Sequence, residues 1–179
     1  MAYLIRKITR SKWQPEGETP SSVSDVSADA ITSCLRTTRN TLSVWYSSTG
    51  DWNDSEDVVA ALLSSLERPT KVDLVLIDER EVSAINGVNL VQISGDTPAN
   101  AEINDKHRDI ANLKFCTISE VAEIIFDKVR SEKANIIKRY SLKDGVALVK
   151  KFVDQGKLDP SRLSERWQIM LGLNESSVG

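Results

Sequence analysis

The stretch "GDTPANAEINDKHRDI", residues 95–110, carries the chain's single histidine, His107, between Asp105 and Asp109 and behind a Gly-Asp-Thr-Pro turn. Alternate side chains of an extended strand point to one side, so "NDKHRDI" in that conformation groups Asp105, His107 and Asp109 on one face. Two carboxylates and an imidazole suit a divalent transition metal, and Asp96, just upstream, could join them. Such a site would support metal-dependent hydrolase or nuclease chemistry, with His107 as ligand or base and Asp109 as its carboxylate partner. Catalytic metal sites commonly use two or three histidines, and a second does not exist here. The segment is therefore read first as a connection between core elements, in which Asn104, Asp105 or Asp109 caps a short helix and His107 and Arg108 face solvent. No metal or cofactor is expected on this reading, and catalytic or ligating roles for Asp96, Asp105, His107 and Asp109 belong to the alternative one.

Other routes to chemistry are thinner. No Gly-x-Gly-x-x-Gly or Gly-x4-Gly-Lys-Ser/Thr phosphate cradle occurs, and no Gly-x-Ser-x-Gly elbow offers a serine nucleophile. Cys34 and Cys116 sit among apolar neighbours and read as small buried hydrophobes, not as a disulfide or a reactive thiol. A basic arm of Arg6, Lys7, Arg10 and Lys12 lies beside Trp13, but a sequence pI of about 5.3 argues against nucleic acid as partner. The segment "WYSSTGDWNDSED" sets Trp45, Tyr46 and Trp52 among polar and acidic positions, and half-exposed aromatics of this kind are enriched at binding hot spots. Trp52, Asp54, Glu56 and Asp57 are accordingly the expected partner-binding residues.

The elements that must position these groups are legible from periodicity. Strands are expected at 2–9, 41–47, 71–78 and 88–94, with a short one at 113–116. "KVDLVLID" has a continuous apolar run of the kind covered on both faces, so it is expected to be central. Helices are expected behind Ser27, behind Asp54, behind Thr117, behind Ser141 and at Asp159-Pro160. Helix-length crossovers between strands imply parallel neighbours and right-handed connections. The expected fold is α/β, a small mostly parallel sheet flanked by helices, over residues 1–132. A C-terminal helical hairpin over 133–173 packs on it, and 174–179 form a flexible tail.

At 179 residues the chain can bury its own core, and 40% hydrophobic with 27% charged residues is ordinary for a soluble protein. Its longest apolar run, "VVAALL", is far short of the roughly 20 residues that cross a bilayer. Without a secretory leader pattern or a disulfide framework, the expected setting is cytoplasmic. The net charge of −3 conceals an uneven distribution, −9 over residues 50–105 followed by +5 over 106–170. The functional expectation is a non-enzymatic protein-binding module of antitoxin, immunity-protein or bacterial-defence accessory type, whose acidic aromatic-edged surface engages a basic protein partner.

Overall fold

A computed structural model describes residues 1–15, 20–131 and 135–173 of the chain. In chain order the elements are β1 (Tyr3–Ile8), α1 (Arg10–Trp13), α2 (Ala28–Cys34), β2 (Leu42–Ser47), α3 (Glu56–Ser64) and β3 (Val72–Asp78). There follow α4 (Glu79–Ser83), β4 (Asn89–Gln92), α5 (Ala101–Asn104), β5 (His107–Ala111), α6 (Phe115–Arg130), β6 (Ile137–Tyr140), α7 (Leu142–Asp154) and α8 (Glu165–Met170). The strands form one six-stranded sheet in the order β4-β5-β2-β1-β3-β6.

Every neighbouring pair in that sheet is antiparallel. The expected mostly parallel sheet is therefore wrong, and the fold is α+β. The reason lies in β1. β2 and β3, which flank α3, do run in the same sense, because each is antiparallel to β1. β1 lies between them, so the crossover over α3 joins parallel strands that are not neighbours. Likewise α6 links β5 to β6, which share a sense but are separated by three strands. Crossover length by itself sets neither direction nor adjacency, since α1 and α2 lie between β1 and β2, which are antiparallel neighbours.

Strand alternation divides the core into two clusters. Leu4, Ile8, Leu42, Val44, Val75, Ile77 and Ile110 pack under α2, α4 and α6 with the fully buried Trp13. Ile5, Trp45, Leu74 and Leu76 pack under α3, α5, α7 and α8, the last through Trp167. Leu74, Val75, Leu76 and Ile77 are all buried, as the apolar run of β3 requires of a strand covered on both faces. Burial at about 1.5–3 kcal/mol for each such side chain makes this strand a main source of stability.

Helix starts follow local chemistry. Ser27 Oγ accepts from Asp29 N (3.2 Å), Ser141 Oγ from Asp144 N (3.2 Å) and Ser164 Oγ from Trp167 N (3.4 Å). α3 begins behind Ser55, not Asp54, and the Ser55 hydroxyl is taken up by Ser47 Oγ at 2.7 Å and Asp51 O at 3.0 Å. The short strand expected at 113–116 is absent, because Asn112, with φ +62°, turns the chain after β5 and α6 begins at Phe115. Thr117 accepts from Lys114 N at 2.8 Å within the first turn of α6 instead of preceding it. Cys34 is buried as expected, whereas Cys116 is exposed on that first turn.

Segment 135–173 supplies β6 to the sheet as well as α7 and α8, and the tail at 174–179 lies outside the described residues. Among the described residues no helix is long and apolar enough to cross a membrane.

The β3–α4 junction is held by a capping box in which Asp78 Oδ1 accepts from Arg80 N (2.9 Å) and Glu81 Oε2 from Asp78 N (3.2 Å). The Arg80 side chain hydrogen-bonds the same carboxylate, which holds Asp78 down at a pKa of about 2. A folded pKa below the unfolded one contributes stability above pH 4 that is lost as pH falls toward 2. Asp78→Ala is expected to cost about 1 kcal/mol at neutral pH. Urea denaturation at stepped pH should show the gap between variant and wild type closing between pH 4 and 2.

Candidate functional site

The segment that carries His107 is a stapled loop. Asn100 Oδ1 accepts from Ile103 N at 3.1 Å and caps α5. The buried Asn104 accepts from Thr97 Oγ1 (2.8 Å) and donates to Ala99 O (2.6 Å), and Gly95 N donates to Asn104 O at 2.8 Å. The loop thus closes on itself before β5 begins at His107. Gly95 allows that closure: a Cβ there would lie 2.9 Å from both Asn104 Oδ1 and Trp45 Cη2.

Pairing of β5 with β2 sets Asp109 opposite Ser43 and His107 opposite Trp45, on the sheet face that carries Ile5 and Leu74. His107 Nδ1 is 2.9 Å from Ile93 O. A carbonyl only accepts, so Nδ1 carries the proton and, in the neutral ring, Nε2 presents its lone pair. Nε2 lies 3.0 Å from Ser43 Oγ and 3.9 Å from Asp109 Oδ1, and Ser43 Oγ lies 3.4 Å from that carboxylate. The imidazole stands edge-on to Trp45, with ring centroids 5.2 Å apart and planes at 77°. Only 13% of the His107 side chain is exposed, so it is not the solvent-facing group expected from a simple connection.

Ser43, Trp45 and His107 border a cavity of about 380 Å³ whose walls also include Ile5, Lys7, Leu62, Gly95 and Asp96, whereas Asp109 does not line it. Its volume falls in the range of small-molecule sites. Lys7 makes no salt bridge among the described residues. Desolvation, and then repulsion from Arg6, lower the pKa of its ammonium. The neighbouring Arg6 is a structural tie. Its guanidinium donates to Cys34 O at 2.7 Å, at the end of α2, and to Ser43 O at 2.6 Å. The basic arm therefore does not form a patch: Lys12 Nζ bonds Ser33 Oγ at 3.2 Å, and Trp13 is fully buried.

Of the residues singled out in the sequence, His107 and Asp109 come together, and Asp96 lines the same cavity as His107 without joining a ligand set. Asp105 is an exposed C-cap of α5, outside β5, and the exposed Asp96 carboxylate pairs with Arg162. Among the described residues no three His, Cys, Asp or Glu side chains form a metal-binding group. In the acidic edge, Trp52 is 7% exposed and its Nε1 donates to Asn135 O at 2.8 Å. Glu56 pairs with Lys151 and Asp57 with Lys106, both at 2.5 Å, while the exposed Asp54 accepts from Thr49 Oγ1 at 3.0 Å. Ser43 and Gly95 went unrecognised as site residues. Ser43 precedes Trp45 by two and so shares its face, but only the β2–β5 register joins it to His107.

Comparison of the chain with protein-family models, curated proteins and solved structures gives no match, so geometry alone carries the functional reading. Gly95→Ala should force the loop off Trp45 and Asn104, costing about 1–3 kcal/mol as an overpacked site does. A lowered urea midpoint together with altered tryptophan fluorescence would register it.

Proposed function

We propose that the protein binds a small organic anion, a carboxylate or phosphate ester, in the cavity between Lys7 and the Ser43–His107 pair. The observation that carries this reading is the Lys7 ammonium, a cation without a carboxylate partner among the described residues, on the wall of a cavity shared with an ordered hydroxyl–imidazole pair. Lys7 is solvent-exposed at the cavity wall, so a ligand of opposite sign gains a screened attraction there, stronger where the ligand and wall displace water. Ile5, Leu62 and Trp45 offer an apolar wall for the organic part, and the Ser43 hydroxyl can turn its single proton from His107 Nε2 to the ligand, the imidazole's own N–H being held by Ile93 O.

The acidic edge at Trp52, Asp54, Glu56 and Asp57 supports partner binding less well. Its indole and all three carboxylates are already engaged within the chain, Glu56 and Asp57 in ion pairs and Asp54 with Thr49, so a basic protein would have to displace those contacts before gaining its own. The metal-dependent reading lacks an assembled set of ligands among the described residues.

Titration with inorganic phosphate, phenyl phosphate, acetate and benzoate, followed by NMR of the tryptophan indoles and the single imidazole, tests the proposal. Phenyl phosphate or benzoate should shift the Trp45 and His107 signals, and Lys7→Ala should weaken binding at least tenfold, about 1.4 kcal/mol. Glu56→Ala combined with Asp57→Ala should leave the affinity unchanged. Silence of both signals toward all four anions at millimolar concentration, or equal affinity in Lys7→Ala, would refute it.

A further inference from the structure

The two edges of the sheet are built differently. β6 carries Lys138 and Arg139 within its four residues, and Arg139 holds Asp73 on β3 through Nε at 2.6 Å and Nη2 at 3.0 Å. Charges of this kind are a common guard against pairing with another chain. β4, at the opposite edge, has none. From Asn89 to Ser94 the sequence "NLVQIS" contains no charge, no proline and no glycine. Val91 is 40% and Ile93 47% exposed, and Leu90 alone of the four strand residues packs partly against the core. β4 hydrogen-bonds β5 on one side, and among the described residues no strand pairs with its other side.

We propose that β4 is an association surface for a second copy of this chain, joining two sheets through an antiparallel β4–β4 pair about a twofold axis. Charge selects this occupant. In a symmetric antiparallel pair the strand meets itself, so a charged edge sets like charges close together, as Lys138 and Arg139 would at β6, whereas the neutral Asn89–Ser94 run meets no such repulsion. Side-chain pattern then selects the register. Centring the axis on Gln92 sets Val91 of each copy opposite Ile93 of the other, covering the exposed apolar side chains of the edge in two cross-strand pairs. Val91 points to the face that carries Asp109, with which it pairs across β5, and Ile93 follows one residue past the end of β4, so the pair extends the strand by that residue. The second copy would thereby add its strand on the cavity side of the sheet. Six residues per copy make a smaller contact than a standard interface, so a concentration-dependent monomer–dimer equilibrium is expected.

Sedimentation velocity over a concentration series, with no ligand present, tests this independently of the cavity proposal. The mass should rise from 19.9 kDa toward twice that value. Val91→Lys should hold the chain at monomer mass with an unchanged circular dichroism spectrum, and Lys138→Glu should leave dimerisation intact. With Cys116→Ser removing the exposed thiol, Gln92→Cys should give a disulfide-linked dimer on mild oxidation, and Asn53→Cys should not. A monomer at every concentration would overturn the proposal and leave the edge open to a foreign strand. So would a dimer indifferent to Val91→Lys, one in which Gln92→Cys fails to cross-link, or an open polymer in place of a closed pair.

Discussion

Insertion of β1 between β2 and β3 is the constraint on which the rest of the structure depends. An antiparallel ladder from Tyr3↔Asp78 to Ile8↔Asp73 ties the first strand along the most apolar one, and the β2 ladder ties its other side. Once β1 holds that place, α3 must cross over it, and the two strands α3 connects cannot touch. The same placement sets Lys7 on the face that Ser43, Trp45 and His107 share, although these residues come from the first, second and fifth strands. Arg6 locks the arrangement from the other side: one guanidinium satisfies carbonyls from both α2 and β2, the kind of cation-to-helix-terminus contact that a C-terminal dipole favours.

The two faces of the sheet then have different fates. Over β3 and the first half of β1 both faces are covered by helices, while Lys7 reaches the open part of the face. Toward β4 and β5 the second face gives way to the stapled loop at 95–106, and the gap beside that loop is the cavity. Polar residues on this part of the sheet, Ser43, His107 and Asp109, would be costly to bury without partners; the single Ser43 proton serves either His107 Nε2 or Asp109, which leaves one acceptor free for another donor. Their arrangement is thus at once a structural solution for polar side chains on an inward-facing strand and a ready contact surface for a polar ligand.

Patterns short in sequence were legible and pairings long in sequence were not. Ser27 and Ser141 announce the starts of α2 and α7, and Asp159 that of a short 3-10 turn at Pro160–Arg162, because a cap and the amides it satisfies lie within three residues. The apolar run of β3 declares burial on both faces for a similar reason. The side on which β1 would pair, and hence the antiparallel sheet, depends on contacts across about 70 residues that no local pattern records. The acidic edge misled for a related reason: Glu56 and Asp57 look like free surface charges until Lys151 and Lys106 arrive from distant segments to neutralise them.

Sequence alone determined the existence and approximate span of most strands and of the main helices, the absence of phosphate-cradle and elbow motifs, and the notice given to His107 and Asp109. Those properties follow from side-chain type and from spacings of two to four residues. Tertiary structure alone decided that the sheet is antiparallel, that Asp105 stands apart from His107 while Asp96 is taken up by Arg162, and that Ser43 and Lys7 share the cavity with it. Each of these depends on which strands lie side by side and in what register. A one-residue slip would turn every side chain to the opposite face, so register is set by the packing of the whole core and not by any strand on its own.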